Sequence, residues 1–186
     1  MAKKAGFKFL VYPGGNYSAY FKWNDMNLPS EVNTDQFLGI SKKLHAEKKI
    51  TVNYNASPKL AADWIKYVNG KGKENVKYWE VVDEPYLLMS ASDFIQIMKT
   101  FVPKMKAADP NIKIVANVSM YNPDFTKKVI NEVGDMIDVY SIHILEGSPS
   151  GNNKEAFYED LLKLPEKVSK QLKTLKGWVK DVYPIK

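Results

Sequence analysis

The sequence predicts an α/β domain built on a parallel sheet of five strands. Five apolar runs of strand length alternate with segments whose apolar residues recur at helical spacing. That alternation is typical of βα units joined by right-handed crossovers. Polar residues follow several of the runs, and the carboxyl ends of parallel strands are where such folds carry their chemistry. A flavodoxin-like strand order is the alternative at this level.

The elements follow in chain order, and no linker divides residues 1–186, which are expected to form a single domain. Helices are expected to begin near Thr34 and Ser57, then to span residues 92–108, 123–133 and 155–182, with a kink or break at Pro103 and a break at Pro165. An aromatic-rich rim loop is expected at residues 16–27. Strands are predicted at residues 7–12, 49–54, 76–82, 112–118 and 137–145.

Composition excludes several classes of function. All 27 basic residues are lysine and there is no cysteine, so the chain has neither a disulfide nor a thiolate metal site. Without arginine it lacks the bidentate contacts favoured in phosphate and guanine recognition, and no nucleic-acid partner is expected. No apolar run has the length of a membrane span and no signal peptide is recognisable. The chain is expected to be soluble, while its compartment stays open.

The stretch VKYWEVVDEPY at residues 76–86 contains the best candidate site. Its apolar residues predict a strand buried on both faces. Pro85 cannot donate to a strand ladder, so Asp83 and Glu84 are expected on the rim where that strand ends. Two acids in a solvated turn are the plainer interpretation, and only the apolar strand before them favours a functional one.

Four segments resemble a known family: YPGGNYSAYFKW at 12–23, ITVNY at 50–54, VKYWEVVDEPY at 76–86 and DVYSIHIL at 138–145. Together they resemble the α-L-arabinofuranosidase-type retaining glycoside hydrolases, whose catalytic domain is an eight-stranded (β/α) barrel. The resemblance implies a partial TIM-barrel-like domain containing strands two to six of that barrel. The first, seventh and eighth strands are expected to be absent from this chain.

The resemblance also implies roles for individual residues. Glu84 matches the general acid/base, which protonates the leaving sugar oxygen. The nucleophile would lie on the seventh strand, so it is expected to be missing here. No cofactor is implied, and with His45 and His143 as the only histidines no metal site is expected. A carbohydrate ligand is implied, with contacts from Asn16, Trp23, Asn53, Tyr54, Asp83 and His143.

Several positions depart from the family pattern. Val11 replaces an arginine, Val82-Asp83 replaces Gly-Asn, and Leu145 replaces an aromatic residue. An ionised Asp83 cannot provide an amide donor, and strand alternation is expected to turn its side chain away from Glu84. Glu146 would replace the nucleophile only from a loop. Weak hydrolysis or none is therefore expected.

Two further hypotheses come from other classes. One is an engineered or miniaturised barrel scaffold without native activity, whose open sheet edges would pair in a homodimer. The other is a repurposed enzyme in which Glu84 or Asp83, desolvated by apolar neighbours, acts as a general base on an unrelated small substrate.

Overall fold

The computed structural model describes residue 6 and residues 8–25, 32–70, 75–144 and 154–184, except for the side chains of residues 154–157 and 160. The strands are β1 (Phe9–Tyr12), β2 (Glu47–Thr51), β3 (Tyr78–Glu80), β4 (Lys113–Val118) and β5 (Val139–Ile142). The helices are α1 (Thr34–Leu44), α2 (Pro58–Asn69), α3 (Pro85–Leu88), α4 (Ala91–Ala108), α5 (Pro123–Val133) and α6 (Lys154–Val182). Short 3₁₀ helices cover Gly15–Ala19 and Gly134–Met136.

The sheet confirms the predicted parallel topology. Its five strands lie in the order β1-β2-β3-β4-β5, and every neighbouring pair is parallel. They curl into a half-barrel with helices along the outside, as in part of a TIM barrel. A flavodoxin-like sheet would place its strands out of sequence order, so that alternative is wrong.

The strands are shorter than the sequence predicted, and β3 is the clearest example. It was expected over residues 76–82 but forms ladder pairs only over Tyr78–Glu80. Val76, Val81 and Val82 are nevertheless buried at 0%, 0% and 1% exposure. Apolar character therefore located the buried segment correctly, whereas ladder pairing, which depends on the neighbouring strands, set its ends.

Helix boundaries follow local capping chemistry. Asn33, one residue before the expected cap, closes a reciprocal capping box with Gln36 at the start of α1. Ser57 caps α2 as predicted, and Pro58 occupies its first turn. Pro103 and Pro165 lie inside α4 and α6, which are continuous, so the expected break at Pro165 is wrong. Each proline removes one backbone hydrogen bond, and a long helix retains enough others to continue.

Strand alternation gives the sheet two chemically different faces. Ile50 and Trp79 point towards the helices, where Trp79 meets Trp64 of α2 edge-on at 5.9 Å between ring centroids. Lys49 and Glu80 point to the opposite, concave face. The core therefore lies between sheet and helices, and the concave face is free to carry polar groups.

Within the described residues β1 and β5 form the two edges of the sheet. Pairing of these edges with a second copy of the chain stays a prediction. The described helices include none that is both long enough and apolar enough to cross a membrane.

Candidate functional site

The conformation of Glu84 determines the geometry at the end of β3. Its backbone lies in the left-handed region, at φ 47 and ψ 49, directly before Pro85 and α3. A residue other than glycine rarely adopts this conformation, and such strained positions cluster at functional sites. The ladder has already ended at Glu80, so the alternation that was expected to separate Asp83 from Glu84 does not apply to them.

Both carboxylates approach one imidazole ring, each at a different ring nitrogen. Glu84 Oε1 lies 2.9 Å from His143 Nδ1, and Asp83 Oδ1 lies 4.0 Å from His143 Nε2. His143 follows β5, two strands away from β3. The curl of the sheet thus brings together three predicted site residues from distant parts of the sequence.

Glu84 has a second polar partner in Tyr86. The Tyr86 hydroxyl donates a 3.3 Å hydrogen bond to the same oxygen, Oε1, that faces His143. Burial and the neighbouring Glu84 raise the pKa of Tyr86 to about 12, so it remains a phenol that can donate. Glu84 itself is only partly buried, with 21% of its side chain exposed, and is accessible to a ligand.

Asp83 has a different environment from its neighbour. It is buried, at 9% exposure. Burial raises the pKa of its carboxyl and Glu84 raises it further, while His143 and Lys49 act in the opposite direction. Desolvation is the largest of these effects, so Asp83 keeps its proton to a higher pH than an ordinary aspartate.

A buried ion pair that the sequence analysis missed lies on the concave face. Lys49 Nζ is 2.7 Å from Glu80 Oε1, with side-chain exposures of 8% and 0%, and Thr51 Oγ1 donates a 2.8 Å hydrogen bond to Glu80 Oε2. Burial raises the pKa of Glu80, whereas Lys49 and Thr51 lower it. The sequence carries little signal for this pair, since β2 begins with three charged residues and the run at 76–82 contains Lys77 as well as Glu80. The ladder pairs Lys49 with Tyr78 and Thr51 with Glu80, so Lys49 and Glu80 are diagonal neighbours.

Asn117 of β4 was also missed. Its Nδ2 donates a 3.2 Å hydrogen bond to Ser141 Oγ of β5. Its Oδ1 is buried and has no hydrogen-bond partner among the described residues. The concave face below the carboxylates is therefore unusually polar for the interior of a barrel, which branched apolar side chains normally fill.

The other predicted contact residues have structural partners. Trp23 Nε1 donates to Leu60 O at 3.0 Å, and its ring stacks parallel to that of Trp64. Asn53 is buried, and its amide donates to Phe21 O at 3.1 Å while its oxygen caps the following turn. Tyr54 is partly buried against the core. Asn16 is exposed in the 3₁₀ helix that opens the expected rim loop.

Some predicted features cannot be placed. Leu145 and Glu146 lie outside the described residues, so the candidate replacement nucleophile stays a prediction. Within the described part of the chain, no three histidine, aspartate or glutamate residues are arranged to hold a metal ion. Asp83, Glu84 and His143 form a cluster of two carboxylates and one imidazole at the rim.

Comparisons with known proteins place the fold among glycoside hydrolases. The α-L-arabinofuranosidase from Thermotoga maritima, solved as an arabinose complex, matches with a TM-score of 0.83 and 25% identity over 97% of this chain and 44% of its own. The thermostable GH51 α-L-arabinofuranosidase from Thermotoga petrophila RKU-1 gives 0.84 and 25% over 98% and 44%. A family 51 α-L-arabinofuranosidase from Bifidobacterium longum gives 0.80 and 21% over 97% and 45%.

These similarities support a glycoside-hydrolase-like fold. The particular structures it resembles are GH51 α-L-arabinofuranosidases, and this chain spans less than half the length of each. No protein-family model matches the sequence, and no curated protein sequence is similar to it at a significant level.

Proposed function

We propose that this chain provides the acid/base side of a carbohydrate site related to that of α-L-arabinofuranosidases, with Glu84 as the acid/base residue and with weak hydrolysis or none. The observation that carries the proposal is the placement of Glu84. It follows β3 on the rim, its backbone is strained, and its carboxylate is accessible and hydrogen-bonded by His143 and Tyr86. An acid/base residue needs this combination of fixed position and access to the ligand.

Weak turnover is expected because neither of the carboxylates near Glu84, those of Glu80 and Asp83, is suited to act as the nucleophile. Retaining hydrolysis requires a second, ionised carboxylate about 5 to 5.5 Å from the first. Glu80 is paired with Lys49 and is fully buried. Asp83 shares the His143 ring with Glu84, and burial raises its pKa, which favours the form that cannot act as a nucleophile. General acid catalysis alone contributes only about 10²- to 10⁴-fold.

Among the residues implied as sugar contacts, Asp83, His143 and Asn16 are the ones we assign to the ligand. Asp83 and His143 adjoin Glu84, and Asn16 is exposed. Trp23 and Asn53 are assigned a supporting role, because the indole nitrogen and the amide are already committed to backbone carbonyls. The arabinose complex of the Thermotoga maritima protein supports a pentose as the first ligand to test.

The test combines binding with turnover. L-Arabinose is titrated into the ¹⁵N-labelled protein, and nitrophenol release from an aryl α-L-arabinofuranoside is measured in parallel. Glu84→Gln is the test variant. Glu47→Gln is the matched control, because Glu47 is exposed and lies at the opposite end of a strand in the same sheet.

We expect sugar-dependent shifts in the amide signals around Glu84 and His143, unchanged in Glu47→Gln, together with a slow release of nitrophenol that Glu84→Gln reduces to background. Shifts confined to another surface, or a release rate that Glu84→Gln leaves unaltered, would contradict the assignment. Fast turnover abolished by Glu84→Gln would show that a second carboxylate completes the machinery.

A second candidate function, general-base catalysis on a small substrate other than a sugar, is favoured by one observation. Desolvation raises the pKa of Asp83, and a carboxylate with a raised pKa is a stronger base once ionised. This function predicts proton abstraction from an activated carbon acid at a rate that increases as Asp83 loses its proton. Asp83→Asn would abolish that reaction, whereas a sugar site would keep its ligand binding in the same variant.

A further inference from the structure

Two polar groups converge on one oxygen of Glu84. His143 Nδ1 lies 2.9 Å from Oε1, and the Tyr86 hydroxyl donates a 3.3 Å hydrogen bond to the same atom. The other oxygen, Oε2, makes no hydrogen bond within the described residues, and it is not one of their buried polar atoms that lack a partner, so it reaches solvent. The two oxygens of this carboxyl group are therefore not equivalent.

The left-handed backbone of Glu84 explains how Tyr86 can reach it. Residues two positions apart in a regular helix do not face each other. Glu84 instead precedes α3 at φ 47 and ψ 49, and this turn brings its side chain to the hydroxyl of Tyr86, two residues further along the chain. The strained conformation thus coincides with a specific polar contact of the carboxyl group.

The ring of Tyr86 is held by the core behind it. It meets Phe125 of α5 edge-on at 6.3 Å between ring centroids. Phe125 in turn stacks on Phe94 of α4 at 5.8 Å, and both phenylalanines are buried. Aromatic pairs in these arrangements attract each other beyond the area they bury. The position of the Tyr86 hydroxyl is therefore set by packing against two helices.

The direction of the His143 contact follows from the neighbours of the two ring nitrogens. A neutral imidazole donates from one nitrogen and accepts at the other, and an imidazolium donates from both. Nε2 is 4.0 Å from Asp83 Oδ1, which is too far for a hydrogen bond. Nδ1 faces a Glu84 oxygen at 2.9 Å that already accepts from Tyr86. Hydrogen on Nδ1 therefore satisfies the short contact in either charge state of the ring.

We propose that Tyr86 and His143 both donate to Oε1 of Glu84, that the acid proton of Glu84 is consequently carried on Oε2, and that Tyr86 is a positioning residue which keeps Oε2 directed to the ligand. Turning the carboxyl group over would exchange its two oxygens and break both contacts. The hydrogen-bond arrangement stands without a ligand, whereas its use in catalysis deepens the proposed function and rests on it.

The proposed arrangement identifies the oxygen that exchanges the proton during hydrolysis. The proton on Oε2 moves to the leaving oxygen as the glycosidic bond breaks, so the leaving group departs as an alcohol and Glu84 is left ionised. A water molecule takes the place of the leaving group on the sugar carbon, and one of its protons returns to Oε2. Throughout these steps Oε1 remains an acceptor for Tyr86 and His143.

The first test needs no ligand. The ¹⁵N chemical shifts of the His143 ring, assigned by their absence from His143→Gln, report which nitrogen carries hydrogen, and we expect hydrogen on Nδ1. The hydroxyl proton of Tyr86 should exchange with water about tenfold more slowly in the wild-type protein than in Glu84→Ala, the effect of one hydrogen bond. The hydroxyl of Tyr140, which has no hydrogen-bond partner within the described residues, is the matched control and should exchange equally in both proteins. Hydrogen on Nε2 alone, or a Tyr86 exchange rate that Glu84→Ala leaves unaltered, overturns the proposal, whatever the protein binds.

The second test separates a positioning role for Tyr86 from a structural one. Phenol needs a proton in order to leave a phenyl α-L-arabinofuranoside, whereas dinitrophenolate departs from the corresponding glycoside without one. Tyr86→Phe should slow the release of phenol about three- to tenfold, the effect of one hydrogen bond, and leave the release of dinitrophenolate unchanged. Tyr140→Phe should change neither rate.

An equal loss for both glycosides in Tyr86→Phe would assign Tyr86 a structural role and overturn its part in the proposal. Release of neither leaving group by the wild-type protein would contradict the proposed function. The ligand-free measurements would then still decide where the donors of Glu84 lie.

Discussion

Replacing Lys49 with methionine should strongly destabilise the fold, because it leaves Glu80 alone on the concave face. Methionine keeps much of the apolar stem of lysine and removes the ammonium group, so the variant tests charge more than packing. Glu80 is 0% exposed and lies 2.7 Å from Lys49 Nζ. With that partner gone, the Thr51 hydroxyl is the one remaining hydrogen-bond donor to the carboxylate within the described part of the chain.

The expected loss in the free energy of unfolding can be bounded from the surroundings of Glu80. Removing one partner of a buried ion pair typically costs about 3–5 kcal/mol. Burial already raises the pKa of Glu80, so in the variant Glu80 can take up a proton and thereby limit the penalty. We therefore expect a loss near the lower limit, about 3 kcal/mol at pH 7, which for a chain of this size lowers the Tm by roughly 6–12 °C.

The assay is urea unfolding followed by tryptophan fluorescence at pH 7 and pH 5. The loss should be smaller at pH 5, where protonation of Glu80 is easier. Lys59→Met is the matched control, since Lys59 forms an exposed i,i+4 pair with Asp63 and should change stability by no more than about 0.5 kcal/mol. The double variant Lys49→Met/Glu80→Met should recover most of the loss, because replacing both charges removes the uncompensated one. A loss below about 1 kcal/mol for Lys49→Met, or a double variant as unstable as the single one, would refute this reasoning.

Two further variants test individual polar groups. The Tyr140 hydroxyl is buried without a hydrogen-bond partner among the described residues, so Tyr140→Phe should leave the free energy of unfolding unchanged or increase it. In contrast, Tyr12→Phe removes a 2.6 Å hydrogen bond to Val32 O and should cost about 0.5–1.5 kcal/mol in the same urea assay. For Asp83, the folded-state pKa lies above the unfolded one, so the folded state binds more protons between these values and stability decreases as pH rises through them. Thermal unfolding from pH 3.5 to 7 should show the stability of the wild-type protein decreasing relative to that of Asp83→Asn as pH rises; parallel curves would count against a raised pKa.

The candidate site was predicted in part. Asp83 and Glu84 could be located because Pro85 ends an apolar run, and His143 because it follows another strand of the same kind. The approach of both carboxylates to His143 could not be predicted, because it depends on the left-handed backbone of Glu84 and on the curl that brings β5 towards β3. For Trp23 the sequence suggested a contact that the structure gives to another residue. An aromatic residue in a polar loop is typical of a surface on which a sugar stacks, but the Trp23 indole is packed against Trp64.

The sequence by itself determined the order and type of the elements, the buried face of each helix and the presence of two acids at the end of β3. Hydrophobic periodicity, proline residues and capping residues act over a few neighbouring positions, so the amino-acid sequence alone is enough to specify these elements. Only the tertiary structure decided which polar residues meet. Lys49 and Glu80 are 31 positions apart, and nothing in the sequence near one of them identifies the other as its partner. Their pairing arises because parallel strands in register bring distant residues to one face, where burial makes an unpaired charge costly.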